Sequence, residues 1–249
     1  MTASVDDHVL AARLAKTAGD LLTRLRTDAV VAGKALGALG DAVANTFLTN
    51  ALRELRPDDG LLSEEEAADP VRFSKRRVWI VDPLDGTREY SEGRADWAVH
   101  VAMCVDGVPV VAAVAIPGLD EVWSTAEPAA AAPCANRKIV VSRTRPPAEA
   151  EAVARALGGE LEGMGSAGAK TMAVVRGDVL AYVHSGGQYE WDSCAPAGVA
   201  AAYGLHVSRI DGSPLIYNQT DTYMPDLVVC RAEVAPQILA AIRDAKVAA

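Results

Sequence analysis

One nine-residue stretch, Trp79-Ile80-Val81-Asp82-Pro83-Leu84-Asp85-Gly86-Thr87, constrains this chain more than any other. A short apolar run ends abruptly in two carboxylates, with a proline, a glycine and a hydroxyl around them. A buried strand opening into an acidic turn is a poor structural solution unless something positive fills the turn. Two aspartates three residues apart can share a divalent ion, which removes the repulsion between them. Pro83 biases Asp82 towards an extended conformation, so the strand is expected to run up to the first carboxylate. Gly86 permits a sharp turn and lets a ligand approach the main chain. Thr87 is expected to cap a following helix, whose free N–H groups would face a bound anion. Carboxylates that can bridge a metal beside an anion site point to phosphate chemistry. The competing reading is an ordinary acidic surface turn; the apolar run before the pair and D-G-T after it weigh against that.

At 249 residues the chain is one large domain or two intimate halves, long enough to bury about 70–75% of its unfolded surface. A formal charge of −9 argues against a general binder of nucleic acid or of anionic membranes. A small polyanion can still bind where metals and a few basic side chains reverse the field locally. No apolar run approaches the roughly 20 residues of a membrane span, and the N-terminus lacks a basic-then-apolar signal pattern. Cys104, Cys134, Cys194 and Cys230 are scattered, without C-x-x-C, as expected of reduced cysteines in a cytoplasmic protein.

Periodicity predicts a helix from Val5 to Val31 and a second from near Asp41 to before Pro57. Strands are expected at Val78 to Val81, in a hairpin of Trp97 to Cys104 with Val108 to Ile116, and at Glu121 to Thr125. Beyond an Ala/Pro-rich loop come a strand at Ile139 to Val141 and a helix from Glu149 to Leu157, stopped by Gly158-Gly159. A Gly-rich turn, a helix to Arg176 and a strand at Val179 to Val183 follow. A small-residue helix then runs through Ala202, and a strand at Leu227 to Cys230 and a helix from Pro236 close the chain. Helices and antiparallel strands without a repeated βαβ unit read as a layered α/β or α+β sandwich.

Leu61-Leu62-Ser63-Glu64-Glu65-Glu66 sets acids directly after an apolar pair, so Glu64 is either part of a solvated loop or a further metal ligand. In Glu190-Trp191-Asp192-Ser193-Cys194-Ala195-Pro196, Asp192 is expected to cap a helix with Pro196 in its first turn, and can also face a metal. Gly165-Ser166-Ala167-Gly168-Ala169-Lys170 has the look of an anion-binding turn. It is not a nucleotide P-loop, because Ala169 stands where glycine must precede the lysine. An aspartyl-phosphate mechanism is excluded too, since Pro83 occupies the nucleophile's position. Ser142-Arg143-Thr144-Arg145 follows a strand and, with Lys170, either grips a phosphate or is a solvated surface run. His8, His100, His184 and His206 are isolated and receive no chemistry.

Taken in order, S-E-E-E, D-P-L-D-G-T and W-D-S-C-A-P resemble the inositol monophosphatase superfamily of magnesium-dependent, lithium-sensitive phosphatases. G-S-A-G-A-K, A-Y-V and D-G-S-P-L-I-Y are most similar to its CysQ-type 3'(2'),5'-bisphosphate nucleotidases. The resemblance implies a five-layered αβαβα sandwich, with a half at 1–145 carrying most metal ligands and a half at 146–249 carrying Asp192 and substrate-binding elements, in one catalytic unit. It puts two or three Mg²⁺ ions on Glu64, Asp82, the Leu84 carbonyl, Asp85 and Asp192. It has Glu64 and Thr87 orient the attacking water, and Asp41 help hold a further ion. Ala35 and Ala38 stand where the family commonly carries D-x-x-T before that acid. Substrate contacts fall on Gly86, Thr87, Ser142, Arg143, Gly165, Ser166, Lys170 and Tyr189. The implied reaction removes the 3'-phosphate of adenosine 3',5'-bisphosphate in sulfur assimilation; inositol phosphate or fructose 1,6-bisphosphate hydrolysis is the alternative, and a non-catalytic sensor a third reading. The implied partner is a small phosphorylated molecule, neither nucleic acid nor membrane, and a homodimer stays open.

Overall fold

The computed structural model of the protein describes residues 5–247. Two long helices, α1 (Val5–Thr27) and α2 (Lys34–Leu55), precede a sheet of β1 (Gly60–Ser63), β2 (Arg77–Asp85), β3 (Ala98–Val105), β4 (Val108–Ile116) and β5 (Glu121–Ser124) in that spatial order. A short helix, α3 (Thr87–Ser91), joins β2 to β3. β1 runs parallel to β2, and the other neighbours are antiparallel. The rest of the chain comprises β6 (Lys138–Ser142), α4 (Ala148–Leu157), β7 (Glu160–Met164), α5 (Ala167–Arg176), β8 (Ala181–Tyr189), α6 (Glu190–Ala202), β9 (His206–Ser208), β10 (Tyr223–Cys230) and α7 (Ala235–Val247). Its strands form a second sheet in the order β7-β6-β8-β10-β9.

Strand residues alternate between separate cores. Val78 and Ile80 of β2 face one core while Trp79 and Val81 face another, and β3 divides Ala102 from Val101 and Met103 in the same way. In the second sheet Tyr182, Leu227 and Val229 join the first of these cores, whereas Val183 and Val228 join a third. The shared middle core contains Met172 and Val175 of α5 with Cys194 and Val199 of α6. Leu14, Leu22, Leu48 and Leu52 of α1 and α2 cover the outer face of the first sheet; Val153, Leu157, Ile238 and Ile242 of α4 and α7 cover that of the second. The layers therefore run αβαβα, the five-layered sandwich expected. Strands covered on both faces read as continuous apolar runs, which is how β2, β3 and β4 look in the sequence. The two sheets part between Ser124 and Lys138, ahead of the boundary at 145.

Several boundaries differ from expectation. α1 stops at Thr27, not Val31, and α2 begins at Lys34, seven residues before Asp41. Asp41 thus sits on the buried face of a helix rather than at its start. β1, β7 and β9 were not anticipated. β8 extends to Tyr189, so α6 begins at Glu190 and Asp192 is its third residue instead of its cap. The Asp192 carboxylate reaches back to accept the Tyr189 N–H at 2.7 Å, the side-chain half of a capping box. Pro196 consequently lies inside α6 rather than in its first turn. Among the described residues, no helix is long and apolar enough to cross a membrane.

Candidate active site

Residues 82 and 85 are an odd number apart, so a regular strand would point their side chains to opposite faces. Asp82 instead pairs with His100 and Asp85 with Ala98, three steps along β2 against two along β3. The extra residue is a bulge that turns both carboxylates the same way, and Pro83 fits there because a bulged residue owes the ladder no donor. Asp82 Oδ1 accepts the Leu84 N–H at 3.0 Å. Gly86 follows with φ 90°, a left-handed conformation that favours glycine, and reverses the chain into α3. Thr87 is the first residue of α3, so its hydroxyl does not cap the helix. It lies 3.1 Å from the Leu84 carbonyl oxygen and 3.3 Å from Asp41 Oδ1.

The carboxylate oxygens of Asp82, Asp85 and Asp192 lie within 4.8 Å of one another. Asp85 is aimed by the start of α5: its Oδ2 accepts from the Ser166 hydroxyl at 2.5 Å and from the Gly168 N–H at 2.7 Å. Ser166 also caps α5 by accepting the Ala169 N–H, and it holds φ 44° to do so, a strained setting for a residue with a side chain. Glu64 follows β1 and stands against Asp82, beside the trio rather than within it.

Crowding of acids shows in their proton affinities. Burial first, then the charges of Glu64, Asp85 and Asp192, hold Asp82 well above the usual carboxylate range. Asp192 is pushed up to about 6 by burial and by Asp85. Glu64 is pushed up to about 8 by loss of water around its carboxyl and by Asp192, although the residue as a whole keeps exposed surface. Asp41 rises to about 7 through burial and the nearby Glu65. Asp85 goes the other way: burial raises it, but His100, Lys170 and Ser166 together outweigh that and lower it. Oxygen-only donors, buried and mutually repelling, fit a hard divalent cation, which would remove the repulsion that keeps these acids protonated.

Next to the acids lies a cavity of ≈ 400 Å³. Asp85 and Asp192 line it together with Gly86, Thr87, Ser142, Arg143, Gly165, Ser166 and Lys170. The structure thus brings most of the sequence-predicted contacts to one opening. Tyr189 lies outside that lining; it is exposed, stacked on Trp191 with ring centroids 5.1 Å apart. Lys170 is buried, donating to the Gly165 and Ser166 carbonyls at 3.1 and 2.6 Å, and burial lowers it to about 8. Arg143 is clamped by Glu89 at 2.7 Å and Glu92 at 2.8 Å.

Sequence reasoning passed over His100, His184 and Glu89. His100 is fully buried, with Nε2 3.2 Å from Asp85 Oδ2 and Nδ1 3.0 Å from the Trp191 carbonyl oxygen. A lone histidine in the apolar strand after the acidic turn was the available signal. Gly168 leaves room for it: a Cβ there would sit 2.2 Å from His100 Nε2.

Layers in this order, with three aspartates converging where the two sheets meet α5 and α6, define a metal-dependent phosphatase. The chain belongs to the inositol monophosphatase family, whose model matches residues 6–246. It is 49% identical over 258 residues to the 3'-phosphoadenosine 5'-phosphate phosphatase of Mycobacterium leprae (strain TN), covering 97% of this chain and 95% of that protein. It is 31% identical over 231 residues to the 3'(2'),5'-bisphosphate nucleotidase CysQ of Escherichia coli O157:H7, covering 85% and 94% of the two. Among solved structures, CysQ from Bacteroides thetaiotaomicron superposes with a TM-score of 0.78 at 25% identity, over 91% of this chain and 97% of that one.

Proposed function

We propose that the protein is a magnesium-dependent phosphomonoesterase that removes the 3'-phosphate of adenosine 3',5'-bisphosphate, leaving adenosine 5'-phosphate, in cytoplasmic sulfur assimilation. One observation carries the reading: Asp85 and Asp192 of the acidic trio open into the same cavity as Arg143, Arg145 and Lys170. A site for an ester phosphate and one for a second anion therefore adjoin. The names of the relatives that match nearly the whole chain support the choice of substrate.

Glu64, Asp82, the Leu84 carbonyl, Asp85 and Asp192 would hold two or three Mg²⁺ ions, which when bound acidify water and offset charge on the phosphate and the departing oxygen. The side chains supply alignment and proton handling. Thr87 is hydrogen-bonded to Asp41, and a carboxyl near 7 suits a group that accepts a proton at neutral pH. Asp41 thus stands with Thr87 and Glu64 among the groups that would orient the attacking water. Ser166, Gly168 and His100 fix Asp85, and Lys170 pins the turn that presents Ser166. Gly86 and Thr87 line the cavity, where their main chain would face the oxygens of a bound phosphate.

The test is release of inorganic phosphate from adenosine 3',5'-bisphosphate, inositol 1-phosphate and fructose 1,6-bisphosphate, with magnesium, with EDTA and with lithium. The nucleotide is expected to lead in kcat/KM by at least about tenfold, a margin of roughly 1.4 kcal/mol, and EDTA or lithium to suppress turnover. Faster release from either sugar phosphate reassigns the substrate. Calorimetric binding with no phosphate released makes the protein a sensor.

A further inference from the structure

Asp41, Glu64, Asp82 and Asp85 belong to the first half of the chain, and Asp192 alone comes from α6. The Asp192 carboxylate is hydrogen-bonded within its own segment, to the Tyr189 N–H. Its place relative to the other acids is therefore set by whatever anchors the first turn of α6. Glu190 opens that turn and is 1% exposed. Its Oε2 accepts the Asn218 N–H at 2.7 Å and its Oε1 the Gln219 N–H at 2.6 Å. Successive N–H groups converging on one carboxylate make the concavity with which a backbone binds an anion. Asn218 holds φ 61°, a left-handed setting that asparagine tolerates better than most residues with a side chain.

Arg72 grips the same dipeptide with the opposite charge. Its guanidinium donates to Asn218 Oδ1 and, at 2.7 Å, to the Gln219 carbonyl. Arg72 is also 1% exposed, and it lies in a 3-10 turn, Pro70–Ser74, between the strand that precedes Glu64 and the strand that carries Asp82. An acid at the start of α6 and a base beside the first sheet thus hold one dipeptide of the β9–β10 connection, and their charges attract across it. Burying two charges this deeply adds little stability: desolvation cancels most of their attraction, and apolar residues of the same volume often serve as well or better. What the charges add is direction. A carboxylate taking two donors and a guanidinium fork taking two acceptors fix the dipeptide from both sides.

We infer that Glu190 and Arg72 are positioning residues: a clamp through Asn218 and Gln219 that registers α6 against the first sheet, and so sets Asp192 where it can share a divalent cation with Asp82 and Asp85. Neither residue lines the cavity. The inference rests on the metal-dependent phosphatase reading and names what joins the two halves of its ion site.

The test is calorimetric titration of metal-free protein with MgCl₂, alongside Tm, in the wild type, Glu190→Gln, Glu190→Gln/Arg72→Met, Asn218→Gly and Glu121→Gln. Glu190→Gln turns one acceptor into a donor that faces an N–H. It is expected to raise the Kd for Mg²⁺ about tenfold, the scale of a lost supporting contact at a metal site, and to raise in parallel the magnesium needed for half-maximal phosphate release. The double variant leaves no buried charge unpaired, so its Tm should match or exceed that of Glu190→Gln while its Kd stays raised. Glu121→Gln breaks another link between the halves, to Arg176 at the far end of α5, and should lower Tm with Kd in place. A Kd unmoved by Glu190→Gln, restored in the double variant, or raised equally by Glu121→Gln overturns the clamp. Should Glu190→Gln yield no folded protein, Asn218→Gly decides: it keeps the backbone turn and removes one Arg72 contact, so an unchanged Kd there overturns the inference as well. A wild type that binds no Mg²⁺ refutes the metal-dependent reading instead, before any variant is compared.

Discussion

At the scale of single residues, Asp85 shows how a charge is kept ionised in a place that should protonate it. Its Oδ2 is surrounded by the Ser166 hydroxyl, the Gly168 N–H and His100 Nε2, and Lys170 lies near enough to lower its proton affinity. Its carboxylate lies within 4.8 Å of those of Asp82 and Asp192. Replacing Asp85 by Asn keeps the shape and removes the charge. Phosphate release is expected to fall by at least about 10³-fold, with the circular-dichroism spectrum and Tm close to wild type because repulsion among the acids also falls. Near-normal turnover would remove the mechanism. Asp82, Asp85 and Asp192 were legible in the sequence because each stands in a short local pattern with its own turn chemistry. His100, His184 and Glu89 were not. Their significance comes from neighbours brought by other strands, such as the register that sets His100 opposite Asp82.

Elements tell a similar story through glycine and through edges. α2 begins seven residues before Asp41 and runs through Gly37 and Gly40, although glycine weakens a helix interior. In the fold they are contact points: a Cβ at Gly37 would lie 2.6 Å from Ser91 Oγ and 2.7 Å from Thr87 Cγ2, and one at Gly40 would lie 3.0 Å from Leu84 Cδ2. Their small size lets α2 press onto α3 and sets Asp41 beside Thr87. Gly37→Val should therefore push α2 outward, costing about 1–3 kcal/mol in urea unfolding and lowering kcat by a larger factor than KM. A variant that loses stability with kcat intact would separate the Asp41–Thr87 pair from catalysis. The unanticipated strands β1, β7 and β9 are short and lie at sheet edges, where pairing on one side demands little apolar pattern. The central strands β2, β3 and β4 were read correctly, since burial on both faces leaves an unbroken apolar signature.

For the whole molecule, the raised acids set a direction for pH. Asp192, Asp41 and Glu64 hold protons in the folded state up to about 6, 7 and 8, whereas the unfolded chain gives its protons up near the ordinary carboxylate values. The folded state binds more protons across that interval, so the contribution of these groups to stability declines as pH rises from about 4 to about 8. Metal-free protein should melt at a lower temperature at pH 8 than at pH 5.5 by scanning calorimetry. Added magnesium should raise Tm at both, and more at pH 8, where the cation displaces fewer protons. Equal shifts at the two values would mean that the acids and the ion do not share a site.

The manner in which Asp85 is aimed also bears on how the protein comes into being. Four of the five acids, Asp41, Glu64, Asp82 and Asp85, leave the ribosome early, yet the groups that orient Asp85 lie at Ser166 and Gly168, and the fifth acid is at 192. A nascent chain that has completed only its first sheet has the carboxylates but not their alignment. Competence then arrives late in translation, once the middle helices have docked, so a truncated product retains acidic surface without hydrolytic power.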